Sequence, residues 1–320
     1  MSENQRVLKG TRDAYGEVLV ELGKEHPEIV VLDADLGSST RSRKFATKFP
    51  ERFFNVGVAE QNMMGIAAGL ACTGKTVFAS TFAIFATGRP WEQIRNAICF
   101  SNLNVKIVAS HGGITVGADG ASHQSLEDIS IMRCLPNMKV IIPCDYEETK
   151  KAIREIIKVK GPYYVRLGRA KYPILTDRDT PFEIGKGIVF KEGKDVAIVS
   201  TGTMLSYALK ASEILEKEGV DAAVLHIHTV KPIDKELITK YAKQCKCMVS
   251  VEEHTIIGGL GSAVSEVLTE SFPVPLERVG IKDRFGRSGK PEVLIKEYNI
   301  DVPDIVSASK KVIEKKREML

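Results

Sequence analysis

The sequence lacks the features of a secreted or membrane-spanning protein. No apolar run of about 18 residues, the length that a membrane helix needs, occurs in the chain. Its start, Met1 to Lys9, has no apolar segment of the signal-peptide kind. The six cysteines form no CxxC pair, and the closest two are Cys245 and Cys247. This spacing favours neither a zinc motif nor a disulfide framework, so we expect a protein of the reducing cytoplasm.

Net charge is also small. The 45 Lys and Arg residues nearly balance the 41 Asp and Glu residues, which leaves a formal charge of +4. Acids and bases are interleaved along the chain, and even the densest basic run, at 310–317, contains Glu314. Such a run is typical of a solvated helix end. We therefore predict binding to neither nucleic acid nor a membrane.

Short apolar runs alternate with amphipathic stretches, which is the pattern of a parallel α/β sheet. In the first half this pattern predicts strands at 29–33, 53–56, 77–80, 105–110, 140–143 and 163–166. It predicts helices at 14–25, 61–72, 91–100 and 146–158. The second half begins a new set at 195, with further strands at 223–227, 247–251 and 276–280.

A segment rich in prolines and charges, 170–186, separates the two sets and has no sustained periodicity. It is typical of a linker. The expected fold is therefore α/β, with two doubly wound, mostly parallel sheet domains. We place the domains at 1–175 and 191–320, joined by a linker at 176–190.

The densest group of chemically useful residues is a single loop, His111-Gly-Gly-Ile-Thr-Val-Gly-Ala-Asp119-Gly-Ala-Ser-His123. Its glycines allow tight folding against a ligand, and histidine suits proton transfer near neutral pH. The loop follows a predicted parallel strand, where open α/β sheets bind ligands. The alternative is a glycine-rich turn with two exposed histidines, and we favour the functional interpretation.

Other candidates are ambiguous when taken singly. Glu60 heads an apolar helix, where an acid commonly complements the helix dipole. Phe82 and Phe85 follow a strand and could be core residues. Three polar residues lie near predicted element ends: Arg12, Ser39 and Arg169.

Two histidines, His226 and His228, alternate along a predicted strand and could bind a metal. The sequence offers no third ligand near them. We therefore predict no metal site in this chain.

Taken together, the motifs match one family in order and spacing. The chain resembles the C-terminal half of transketolase over nearly its whole length. The matching segments are Gly10-Thr-Arg12, Ala34-Asp35-Leu36, Gly57-Val-Ala-Glu60-Gln-Asn-Met, Thr81-Phe82 with Phe85, the loop 111–124, Leu135-Pro-Asn137, Leu167-Gly-Arg169, Val251-Glu-Glu-His254 and Gly258-Gly-Leu-Gly261. The chain departs from the family in having Gly88 where an aromatic is common and Ala59-Glu60-Gln61 where Arg-Glu-His is usual.

The resemblance implies that Glu60 contacts N1′ of the aminopyrimidine of thiamine diphosphate and activates the cofactor. It also implies that Phe85 stacks on that ring, with Phe82 beside it and Asp35 nearby. This reverses the interpretation of Glu60 as a mere helix-start acid.

The same resemblance implies the substrate contacts. His123 and Asp119 should meet sugar hydroxyls, and His111 and His123 should join Glu60 as catalytic residues. The expected phosphate-binding residues are Arg12, Ser39, His111 and Arg169, with Arg166 as a competitor on the same strand.

One part of the family pattern is missing. Complete members have an N-terminal domain whose Gly-Asp-Gly motif binds Mg²⁺ and, through it, the diphosphate; this chain has no such motif. The resemblance therefore implies one subunit of a split, cytoplasmic transketolase of the pentose phosphate pathway. Its partner would carry Gly-Asp-Gly in an α2β2 heterotetramer that acts on sugar phosphates.

Three alternatives remain open. Deoxyxylulose phosphate synthase and the β subunits of 2-oxoacid dehydrogenases share the two-domain plan, and a non-catalytic paralogue is the third. The loop with His111, Asp119 and His123 favours the sugar-phosphate branch.

Overall fold

Strands and helices alternate along residues 7–319, the part of the chain that this computed structural model describes. The strands there are β1 (Leu8–Gly10), β2 (Ile29–Asp33), β3 (Phe53–Asn55), β4 (Thr76–Ser80), β5 (Val105–Ala109), β6 (Lys139–Ile141), β7 (Tyr163–Arg166), β8 (Lys171–Pro173), β9 (Ile188–Lys191), β10 (Val196–Ser200), β11 (Ala222–His226), β12 (Thr229–Lys231), β13 (Met248–Thr255) and β14 (Leu276–Ile281).

The helices of the same region cover the faces of the sheets. They are α1 (Thr11–Glu25), α2 (Gly37–Thr40), α3 (Arg43–Lys48), α4 (Glu60–Cys72), α5 (Ala83–Thr87), α6 (Trp91–Gln93), α7 (Asp128–Arg133), α8 (Tyr146–Ile156), α9 (Leu205–Lys217), α10 (Lys235–Cys245), α11 (Leu260–Ser271), α12 (Pro291–Glu297) and α13 (Val302–Met319). Among residues 7–319, no helix is both long enough and apolar enough to cross a membrane.

The strands form two mainly parallel sheets. The larger has the order β12-β6-β7-β5-β4-β2-β3, and only β12 runs antiparallel to its neighbour. The smaller has the order β14-β13-β10-β11-β9, with β9 antiparallel. Strands β1 and β8 pair separately as an antiparallel ribbon. The predicted α/β class with two mostly parallel sheets is confirmed.

Both faces of the larger sheet are covered. Side chains alternate along β2, so that Val30 and Leu32 join one apolar core while Ile29 and Val31 join another on the opposite face. Because both faces are buried, successive residues of these strands are apolar, and the sequence shows continuous apolar runs. The first of these cores also contains residues of α10 and α11, such as Tyr241 and Val264, so the two sheet domains share it.

The structure differs from the expected elements at several places, of which four bear on the site and the domain limits. The helix expected at 91–100 is a short α6 followed by a π-helical turn, Ile94–Cys99. Strand β9 begins inside the segment expected to be linker. The loop 111–123, called the histidine loop below, contains 3₁₀ structure at Ile114–Asp119 that is interrupted at Gly117. Strand β12 lies in the range given to the second domain, yet it pairs with β6 of the first sheet. The domain limits 1–175 and 191–320 otherwise stay predictions.

Candidate active site

Most predicted site residues follow the carboxyl ends of strands in the larger sheet. Asp35 follows β2, Glu60 follows β3, Phe82 follows β4, His111 follows β5 and Arg169 follows β7. Because these five strands are parallel, their carboxyl ends lie along one edge of the sheet. The chain also reverses its strand order here, since β3 and β4 lie on opposite sides of β2. Open α/β sheets bind ligands at such a point.

An aromatic cluster forms where β4 and β5 end. The rings of Phe82 and His111 stack with their centroids 3.7 Å apart. Phe85 lies nearly parallel to Phe82 at 6.0 Å, and His123 meets Phe85 edge-on at 5.3 Å. The pairing of β4 and β5 continues past their ends, because the N–H of Ala83 donates to the carbonyl of Ser110 at 2.7 Å. That bond brings the aromatic residues and the histidine loop together.

Glu60 is the first residue of α4 and is only 4% exposed. Its Oε1 accepts a hydrogen bond from Nη1 of Arg89 at 2.8 Å. The same guanidinium lies over the ring of Phe85, 4.2 Å from its centroid. The flat guanidinium of Arg89 therefore covers the ring of Phe85 and donates to the buried carboxylate of Glu60. The Arg89 side chain is itself half exposed.

Arg89 was missed by the sequence interpretation. It lies four residues after Phe85, in the turn that follows α5, and this proximity in the chain was the available indication. Nothing local links it to Glu60, which lies 29 residues earlier in the chain.

A second group of site residues is cationic. Arg12 donates from Nη1 to the carbonyl of Ser39 at 2.9 Å, and Arg169 donates from Nη1 to the carbonyl of Val116 at 2.5 Å. Burial, together with the charges of Arg12 and Arg169, lowers the pKa of His111 to about 3. Burial likewise lowers the pKa of Arg12, assisted by Arg41 and Arg169. His111 is therefore neutral at pH 7, and the arginines supply the positive charge.

One buried donor in this group has no partner. Nε of Arg12 is buried and makes no hydrogen bond within the described chain, residues 7–319. Buried polar groups are normally bonded, so this orphan donor beside two further cations indicates a place for an anion.

Arg166 has a different environment from Arg169. It is 6% exposed, its Nε donates to Asp128 at 2.8 Å, and its Nη2 donates to the carbonyls of Ser125 and Glu253. These bonds occupy its guanidinium in joining α7, the histidine loop and β13. The geometry favours Arg169 over Arg166 as a phosphate ligand.

The histidine loop is held from the second domain. The N–H of Thr115 donates to Oε1 of Glu253 at 2.7 Å. Gly113 has a φ of 87°, and a Cβ there would lie 2.1 Å from the same oxygen. The amide of Gln124 donates to the carbonyl of Arg287 at 2.9 Å. Glycine at 113 is therefore required both for its backbone angle and for the close approach of Glu253.

Two predicted residues lie apart from the aromatic cluster. Asp35 is exposed, and its Oδ1 accepts from Asn55 at 2.8 Å. Asp119 is exposed on the histidine loop. Among residues 7–319, neither carboxylate has a hydrogen bond or ion pair with His111 or His123, so their predicted roles depend on the ligand.

The fold and this edge of the larger sheet define a two-domain α/β protein with a ligand site built at a strand-order reversal. Models of two families match the chain: the transketolase pyrimidine binding domain at residues 9–174 and the transketolase C-terminal domain at residues 185–305. The chain belongs to the transketolase family, which confirms the resemblance found in the sequence.

Relatives of similar length exist. A candidate transketolase C-terminal section from Methanocaldococcus jannaschii is 52% identical, over 98% of both chains. A 6-deoxy-6-sulfo-D-fructose transketolase subunit from a Clostridium species is 41% identical over 95% of each. Human transketolase is 37% identical, but this chain spans only 49% of it. Among solved structures, a split-gene transketolase described as an inactive β4 tetramer is 51% identical, with a TM-score of 0.90 over 96% of this chain and 99% of that one.

Proposed function

We propose that this chain is the cofactor-activating subunit of a two-chain transketolase. The complete enzyme would transfer a two-carbon ketol unit from a ketose phosphate to an aldose phosphate. The observation that carries this proposal is the buried Glu60 carboxylate beside the face of Phe85, a position already covered by the flat guanidinium of Arg89.

The residues present fit thiamine diphosphate. An aminopyrimidine needs an aromatic face and a proton-sharing carboxylate at its edge, and Phe85 and Glu60 provide both. When bound, the cofactor supplies the carbon nucleophile of the reaction. Glu60, which is 4% exposed, would hold a proton at N1′. Arg89 would give up its place over Phe85.

The sugar would lie against the cationic group. Arg12 and Arg169 would bind its phosphate through their guanidinium N–H groups, with Ser39 beside Arg12. Neutral His111 would donate or accept a hydrogen bond, and His123, which lies against Phe85, would contact a sugar hydroxyl together with Asp119. The names of two relatives specify a sulfo-fructose and apulose 4-phosphate, both sugars with an anionic group. This supports a sugar anion as substrate without fixing which sugar.

The partner would be a chain of the N-terminal transketolase type. It would bring the Gly-Asp-Gly motif, Mg²⁺ and the contacts to the diphosphate, in an α2β2 assembly. The inactive β4 tetramer of a 51%-identical split-gene relative supports the need for a second kind of chain. We extend the proposal to a cytoplasmic enzyme of pentose phosphate metabolism.

The direct test mixes this chain with a partner of that type, thiamine diphosphate and Mg²⁺. Each ketose phosphate donor is paired with an aldose phosphate, and products lengthened by two carbons are measured by mass spectrometry. Two-carbon transfer supports the proposal. The proposal would be rejected if complexes that assemble and bind the cofactor transfer no two-carbon unit with any of the donors and acceptors.

Replacing Arg169 with Ala should raise KM for phosphorylated acceptors by about 10–100-fold, since a hydrogen bond to a charged group contributes about 1.5–3 kcal/mol. A phosphate contact made equally in ground and transition states changes KM and leaves kcat nearly constant. The matched control is Lys171→Ala, which removes an exposed charge two residues away. A fall in kcat with unchanged KM for Arg169→Ala would contradict the phosphate role.

Replacing His123 with Ala should lower kcat by about 10²–10⁴-fold, the usual contribution of a positioned acid–base group. Its ring lies against Phe85, within the cluster that would face the reacting sugar. The control is Ser122→Ala, which removes only the hydroxyl that shares a 3.0 Å hydrogen bond with Nδ1 of His123. Wild-type turnover in His123→Ala would show that this histidine takes no part in proton transfer.

A further inference from the structure

A second cluster of reactive side chains lies where the two sheet domains meet. Cys144 follows β6, Glu148 lies in the first turn of α8, and His226 ends β11. The Cys144 sulfur, a Glu148 carboxylate oxygen and a ring nitrogen of His226 lie within 4.8 Å of one another. All three side chains are buried, with at most 1% exposure. His228 is next to them, with its ring centroid 5.9 Å from that of His226.

Several atoms of this cluster lack hydrogen-bond partners. Oε2 of Glu148 pairs with Nε2 of His226 at 2.8 Å. Within residues 7–319, however, the buried Oε1 of Glu148, Nδ1 of His226 and Nε2 of His228 have none. The other nitrogen of His228 bonds to Thr229 at 2.9 Å, which leaves Nε2 as its available atom. Buried polar atoms are nearly always bonded, so three partnerless atoms on these neighbouring side chains indicate a ligand that the cluster lacks.

Asp145 is excluded from this group because its carboxylate is fully used. It accepts from the N–H of Glu148 at 2.8 Å, and from Leu175 and Thr176. It thereby fixes the start of α8 and the position of Glu148. A cation at the cluster would meet side chains that are already oriented.

We propose that Cys144, Glu148 and His226 bind a divalent metal of the zinc type, with His228 as the candidate fourth ligand. The sequence analysis found the pair of histidines but no third ligand. The fold brings Cys144 and Glu148 to His226 from about 80 residues earlier in the chain, which no local spacing reveals.

The ligand chemistry selects the metal class. A thiolate, imidazoles and one carboxylate suit Zn²⁺, whereas Mg²⁺ and Ca²⁺ prefer oxygen ligands alone. Burial, together with Glu148 and Asp145, holds the pKa of the Cys144 thiol well above its usual value. A bound divalent cation would displace that thiol proton.

The site would fasten the two domains together. Cys144 and Glu148 belong to elements of the larger sheet domain, while His226 ends a strand of the smaller sheet. None of the four residues is used in the proposed active site. The metal would therefore act on stability, and its presence does not depend on the proposed ketol transfer.

The test uses the full chain with the two exposed cysteines replaced, Cys72→Ser/Cys134→Ser. Co²⁺ replaces Zn²⁺ as a spectroscopic probe. We expect one equivalent of Co²⁺ to produce the visible bands of a tetrahedral site with a thiolate-to-cobalt charge-transfer band, and Zn²⁺ to abolish them. Zn²⁺ should also raise the melting temperature.

Two ligand variants and one control locate the site. Adding Cys144→Ser or His226→Gln should abolish the thiolate band, whereas Cys247→Ser, at another buried cysteine, should retain it. The proposal is overturned if the parent protein gives no thiolate band. It is equally overturned if the band persists in Cys144→Ser. The Cys72→Ser/Cys134→Ser protein can refute the site by itself, so the test remains decisive even if a further variant misfolds.

Discussion

Replacing Glu60 with Gln is expected to slow proton exchange at C2 of bound thiamine diphosphate by about 10²–10⁴-fold, the range for a positioned acid–base group. The substitution preserves the shape of the side chain but removes its ability to share a proton with N1′. Glu60 is 4% exposed, so its carboxylate is largely shielded from solvent. The measurement is deuterium exchange at C2 in the reconstituted complex, followed by NMR after rapid acid quench.

The structure provides a sharp control for this experiment. Arg89→Gln breaks the same 2.8 Å ion pair but leaves the carboxylate in place. If Glu60 acts by proton sharing, Arg89→Gln should exchange C2 within about tenfold of the wild-type rate, because it removes no acid–base group. Equal losses in both variants would assign the effect to the ion pair. A wild-type rate in Glu60→Gln would refute the activating role of this residue.

Without its partner, the chain is expected to bind thiamine diphosphate about 10²–10⁴-fold more weakly and to show no ketol transfer. The estimate assumes the loss of two charge-assisted contacts to the diphosphate, each contributing about 1.5–3 kcal/mol. The chain has no Gly-Asp-Gly segment to hold Mg²⁺ and those phosphates. Calorimetry on this chain, on the partner and on their mixture would measure the difference.

The same titrations with thiamine, which lacks the diphosphate, serve as the control. The partner should add little to thiamine binding if its main contacts are to the phosphates. If the purified chain alone transferred ketol units at the rate of the mixture, it would not need a partner to bind Mg²⁺ and the diphosphate, and the proposed two-chain enzyme would be wrong.

The main strands could be predicted because burial on both faces makes them apolar throughout. Strand β5, Val105–Ala109, is the clearest example: even Lys106 is buried there, donating to the carbonyls of Val159 and Gly161. The strands that were missed are three or four residues long, such as β8 and β12. Their pairing partners are far away in the chain, so no local periodicity marks them.

The site was predictable only as an ordered set of motifs. Glu60 alone favours a helix-start acid, and its burial became apparent only with the packing of α4. Arg166 and Arg169 could not be distinguished as phosphate-binding candidates from the sequence. The difference between them comes from Asp128, which α7 brings to Arg166 from 38 residues earlier. The contact between Arg89 and Glu60 is likewise created by the fold.

Strand β12 has a consequence for dividing this polypeptide into pieces. It covers β6 with backbone hydrogen bonds, although it is encoded beyond the segment that separates the two sheets. A fragment ending at residue 175 would therefore expose β6 as an open edge, together with apolar surface normally covered by α10 and α11. Uncovered edges of this kind recruit other chains and aggregate. The apparent linker is thus a poor place to cut, and the two halves are best regarded as one folding unit.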